Sequence, residues 1–73
     1  MNVTDMKIGE EAIIKRVKAQ EPVKGRLFAM GIAKGNAIRL LDHTLKKQTW
    51  EVEVDGTRVA LRDEEAKAIE VEK

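Results

Sequence analysis

The sequence predicts a mainly β chain that closes into a small barrel, and three observations carry the prediction. A β-hairpin is written into residues 50–61, the other strand-like runs are short and few, and the chain has 73 residues. A chain this small has little apolar surface to bury, and a few short strands in an open sheet would leave long exposed edges. The order read along the sequence is β-α-β-β-β-α-β, as one domain over residues 1–73. Closing such strands on themselves at this length gives an SH3-like barrel with one or two short helices.

Residues 11–18 are β-rich and alternate imperfectly, which predicts Ile13 and Val17 on one face. Gln20, Glu21 and Pro22 break the run, and Pro22 suits a helix start, where its missing N–H is no loss. Val23, Leu27 and Met30 then recur at i, i+4 and i+7, one apolar stripe on two helical turns. Gly31 stands where a left-handed residue would close that helix, with Ile32 folding back on the last turn as in a Schellman cap. Gly25, inside the helix, costs about 1 kcal/mol relative to Ala. Gly35 makes a second turn, and residues 37–41 read as a strand entered from it.

The hairpin is the clearest local signal. Trp50, Val52 and Val54 alternate with Glu51 and Glu53; Asp55-Gly56 makes a two-residue type I′ turn; Thr57, Val59 and Leu61 alternate with Arg58 and Ala60. That turn sets Val54 opposite Thr57, Val52 opposite Val59 and Trp50 opposite Leu61 on the core face. Outside, it sets Glu53 across from Arg58, an exposed ion pair worth at most about 1 kcal/mol. Asp63-Glu64-Glu65 forms an acidic helix start favoured by the macrodipole, Ala66 and Ile69 add a short apolar edge, and Val71 lies in a final strand. Residues 42–48, DHTLKKQ, are the longest polar connection.

Composition removes whole classes of function. With Lys+Arg 14 against Asp+Glu 13 the net charge is +1, so no strong field draws the chain to nucleic acid or to an anionic membrane. The absence of Cys excludes disulfides, thiolate metal sites and cysteine nucleophiles. Short apolar runs leave no signal-peptide core and no membrane span, so the expected location is the cytoplasm. There is also no Ser and no Tyr, and the single His43 cannot form a nucleophile–base pair, so an enzyme is not expected.

Candidate site residues are few. His43 beside Asp42 is too small a donor set for a specific metal site, and no cofactor is expected. The acidic runs at Glu10-Glu11 and at residues 63–65 point in diverging directions. Gly31 and Gly35 lack the third glycine and the Lys-Ser/Thr of a nucleotide loop; with Asp55 and Gly56 they read as turn and cap residues. Phe28, off the helical stripe, and Leu45, apolar in a polar loop, are the candidates for partner contact, with Lys46 and Lys47 beside Leu45 to steer docking.

These residues resemble the FeoA family over nearly the whole chain. The opening is similar to the family's in Met6-Lys7-Ile8-Gly9-Glu10-Glu11-Ala12. The centre resembles it in Arg26-Leu27, Met30-Gly31-Ile32, Gly35 and Ile38, and the end in Gly56-Thr57, Ala60-Leu61-Arg62 and Glu65-Ala66, followed by Ile69 and Val71. One departure is Leu45-Lys46-Lys47-Gln48, where the family commonly has a glycine-rich or proline-containing connection. The resemblance implies an SH3-like fold and an accessory role in bacterial ferrous-iron transport, through contact with the cytoplasmic part of a FeoB-like, GTP-binding membrane transporter. It leaves room for weak or transient Fe²⁺ contact. The expected chain is a monomer or weak homo-oligomer that binds no nucleic acid and does not insert into the membrane. The alternatives are a stand-alone metal-sensing domain or a nucleic-acid-binding SH3-like barrel; the latter lacks a basic stripe interleaved with aromatics.

Overall fold

Asp55 and Gly56 both adopt positive φ, 53° and 78°, and the tight turn they make pairs β3 (Thr49–Val54) with β4 (Thr57–Arg62). Trp50 faces Leu61, Val52 faces Val59 and Val54 faces Thr57, the register the turn and the alternation require. Glu53 does lie across from Arg58 in that register, but the ion pair forms elsewhere: Arg58 Nη1 reaches Glu51 Oε1 at 3.2 Å. A long arginine side chain spans the diagonal between neighbouring strands as easily as it meets its direct partner.

The computed structural model describes residues 1–73. The remaining elements are β1 (Glu11–Val17), α1 (Val23–Ala29), β2 (Ala37–His43), α2 (Asp63–Ala68) and β5 (Ile69–Glu72), preceded by a 3-10 turn at Val3–Asp5. All strand pairs are antiparallel, in the order β4-β3-β2-β1-β5. The edge strands β4 and β5 are joined directly by the six residues of α2, a helix about 9 Å long. That short bridge holds the two edges near one another and closes the barrel without a fifth strand pairing.

Bulges bend the sheet. One interrupts β1 against β5 between Ile14 and Arg16, the other β2 against β3 between Leu40 and Asp42. The first corrects the expected face of β1: Ala12 and Ile14 point into the core, Ile13 is 43% exposed, and Val17 packs partly inward only because the extra residue restores it to the inner side. Ile13 and Val17 therefore do not share a face. Beyond its own bulge β2 runs on to His43, so the polar connection shortens to a turn at residues 44–48. There Thr44 Oγ1 accepts the Gln48 N–H at 3.0 Å.

Sixteen buried apolar side chains form one core. The chain start contributes Val3 and Met6, held in place where the Val71 N–H donates to the Met1 carbonyl at 2.8 Å. From α1 only Leu27 is fully buried, with Val23 and Met30 packed partly against the core. Gly31 takes φ +90°, its N–H donates to the Phe28 carbonyl and the Ile32 N–H to the Leu27 carbonyl, both at 3.0 Å. This is a Schellman cap, and it delivers Ile32 into the core. Gly25 is less of a cost than its helix position suggests. Glu21 Oε1 accepts the Gly25 N–H at 3.0 Å, and a Cβ on Gly25 would lie 2.7 Å from that oxygen, so the glycine makes room for a carboxylate at the helix start.

Candidate interaction surface

Because α1 buries Leu27, Phe28 is turned about 100° round the helix and faces solvent, 68% exposed. It stands over a groove of about 670 Å³ whose apolar side is completed by Val17, Ile32 and Ala33. Lys15, Arg16, Lys24 and Lys34 ring the same groove, with Glu21 and Glu72. The elements explain the cluster: the β1 bulge leaves both Lys15 and Arg16 exposed, and the capped end of α1 carries the chain past Ile32 to Lys34.

Leu45 is fully exposed in the turn that follows β2, and Lys46 and Lys47 are exposed beside it. Phe28 and this turn do not form one patch. The groove takes in the chain just before β2, the turn follows β2, and the seven residues between span about 20 Å. The structure thus separates residues that the sequence grouped together. Gly35, with φ +92°, donates its N–H to the Ile14 carbonyl at 2.8 Å and turns the chain into β2.

His43 is half-buried at the end of β2, beside Trp50. Its ring lies 4.9 Å from the Trp50 ring at 48°, its backbone N–H donates to Asp42 Oδ1 at 2.8 Å, and ring Nδ1 is 2.9 Å from the Thr44 carbonyl oxygen. Asp42, His43 and Glu51 line a small hollow of about 150 Å³, yet no three His, Asp or Glu side chains converge as metal ligands anywhere in the fold.

One buried charge escaped the sequence reading. The Glu65 side chain is 7% exposed; one carboxylate oxygen accepts the Arg62 N–H at 2.9 Å, and the other is bonded to Arg26, from α1. The local half was visible as a glutamate at the third position of a helix, which commonly reaches back to the residue before the first turn. The half contributed by Arg26, 39 residues away, carried no local signal.

Elsewhere the charges pair on the surface. A hydrogen bond from Lys73, followed by one from the Lys7 N–H, holds the Glu10 carboxyl below its ordinary pKa. Lys18, 2.8 Å away, lowers Glu70 in the same way. Asp63 and Lys67 bond at 2.9 Å, lowering the acid and raising the amine. Trp50 Nε1 is buried without an acceptor in good hydrogen-bond geometry, although its N–H lies close enough to Asp63 to add slightly to that lowering.

A curled five-stranded antiparallel sheet, closed by a short helix and carrying an exposed aromatic on a second one, defines a small SH3-like barrel. The chain belongs to the FeoA family: the FeoA domain pattern matches residues 1–73. Over 71 residues it is 38% identical to the Campylobacter jejuni protein named "Putative Fe(2+) transport protein A", covering 97% of this chain and 96% of that one. The solution structure of the FeoA protein from Chlorobium tepidum is similar with a TM-score of 0.92 at 28% identity, over 99% of this chain and 69% of that one. Stenotrophomonas maltophilia FeoA, crystallised with zinc and described as a procaryotic SH3 domain protein, gives 0.86 at 28% identity, over 99% and 89% of the two chains.

Proposed function

We propose that this protein is an accessory of ferrous-iron transport that acts by docking onto the cytoplasmic, GTP-binding part of a FeoB-like membrane transporter. The family and the Campylobacter relative support the link to Fe²⁺ transport. The observation that supports docking is Phe28: an aromatic that a 73-residue fold could bury is instead 68% exposed, over a groove with an apolar floor. Exposed aromatics in such positions are the residues that anchor protein interfaces. Leu45, with Lys46 and Lys47, is a second and separate contact at the other end of β2, where the lysines steer approach.

Binding kinetics against the soluble domain of a FeoB-like transporter from the same organism test this. Phe28→Ala and Leu45→Ala should each weaken binding by about 1 to 3 kcal/mol. Lys46→Glu with Lys47→Glu should chiefly slow association, less so at high salt. Circular dichroism checks that each variant stays folded. If the parent protein does not bind the domain, the docking function is wrong; if it binds and none of these variants alters binding, the contact lies elsewhere.

A further inference from the structure

We infer that the Phe28 groove takes an acidic segment of a partner protein that bears a large apolar side chain; as a statement about the transporter it rests on the docking function proposed above. The charge distribution carries the inference. The whole chain has a net charge of only +1, yet four cations and two acids line this groove. Of the two acids, Glu21 is turned to the Gly25 N–H at 3.0 Å and Glu72 lies 3.9 Å from Lys15. Arg16, Lys24 and Lys34 have no acidic partner within 4.0 Å; Lys7, Lys46, Lys47 and Arg62 are likewise unpaired but line no part of this groove, and ion pairs hold Lys18, Arg26, Arg39, Arg58, Lys67 and Lys73 elsewhere on the barrel.

The backbone builds this concentration. In a regular strand one of Lys15 and Arg16 would face the core; the bulge between Ile14 and Arg16 puts both outside, on the rim of the groove. Between the rims, Phe28, Val17, Ile32 and Ala33 offer an apolar floor, and about 670 Å³ accommodates a large side chain with flanking backbone. Carboxylates flanking an apolar anchor complement both features together. A purely apolar segment would leave the cations desolvated, and a purely acidic one would leave Phe28 unfilled.

The test uses the full chain and three probes: a short fluorescent peptide of Glu residues around one Phe, its counterpart with Lys for Glu, and phosphatidylserine vesicles. The Glu peptide should bind saturably, with chemical-shift changes centred on Val17, Phe28, Ile32 and Ala33, and the Lys peptide should not bind. Arg16→Glu with Lys34→Glu, and separately Phe28→Ala, should each weaken the Glu peptide about tenfold or more. Arg58→Glu, an exposed cation remote from the groove, should change it less than about twofold. Arg16→Gln with Lys34→Gln repeats the test if charge reversal disturbs folding. Equal binding of the two peptides, an undiminished affinity in the groove variants, or binding of vesicles alone overturns the inference. Failure of the docking function looks different, since the Glu peptide would then bind the groove while the transporter domain binds nothing. Conversely, a transporter domain that binds the parent and the Arg16/Lys34 variant equally leaves docking standing and removes the acidic segment.

Discussion

Gly31→Val should destabilise the fold by about 2 to 3 kcal/mol. The glycine sits at φ +90°, where a residue with a Cβ is strained by about 1 to 2 kcal/mol and a β-branched one lies at the upper end. A Cβ there would meet only Val54 Cγ1, at 3.5 Å, so alanine fits in space and pays for conformation alone. The valine methyls extend further into that neighbour and add about 1 kcal/mol of crowding. Relief by unwinding the cap is no cheaper, because the Ile32 N–H would lose the Leu27 carbonyl and Ile32, 1% exposed, would be drawn out of the core. In a chain of 73 residues each kcal/mol moves the melting midpoint by about 6 °C. Thermal unfolding followed by circular dichroism should therefore show a drop of roughly 12 to 18 °C for valine and about half that for alanine. Gly25→Ala is the internal control: that glycine is in ordinary helical conformation and its Cβ meets only the movable end of Glu21, so the midpoint should shift by less than about 5 °C. A Gly31→Val midpoint no lower than that of the control would refute the strain on which the estimate rests.

Arg26→Met should cost about 1 to 2 kcal/mol in denaturant unfolding by leaving the Glu65 carboxylate buried without its cation, discounted because Arg26 is half exposed; adding Glu65→Gln should recover part of the loss, and no recovery would show that packing, not charge, was removed. Glu10, Asp63 and Glu70 are all held below their ordinary values by lysine hydrogen bonds, so the folded chain binds fewer protons in acid than the unfolded chain. Their stabilisation is complete above the ordinary carboxylate range and is lost as pH falls through about 4 toward the lowered values; melting midpoints should be flat near neutrality and decline below about pH 4.5, and a rise on acidification would contradict the pairing. Anaerobic calorimetry should show no tight one-to-one Fe²⁺ complex, since Asp42, His43 and Glu51 share a hollow without converging; a complex lost in His43→Ala would overturn that.

What the sequence determined alone is what short-range geometry decides. Asp55-Gly56 admits one tight turn, and with side chains alternating every second residue that turn leaves a single register that buries Trp50, Val52, Val59 and Leu61 together. The α1 stripe and the glycine after it likewise contain a helix and its stop within nine residues, and that Phe28 lies off the buried stripe was readable from the same spacing. Tertiary structure decided the rest, because the deciding partners are distant in sequence. The bulge in β1 exists only against β5, so the fate of Ile13 and Val17 could not be read from their own alternation. Glu51 displaces Glu53 as the partner of Arg58 through side-chain reach across the sheet, and Arg26 meets Glu65 only once both helices are seated. The candidate surface is of this second kind: Phe28 comes from α1, Lys15 and Arg16 from β1, Lys34 from the connection to β2 and Glu72 from β5, and the groove appears only where the closing barrel brings those segments together. Leu45 is held away from it for the same reason, since an antiparallel strand separates its two ends by its own length.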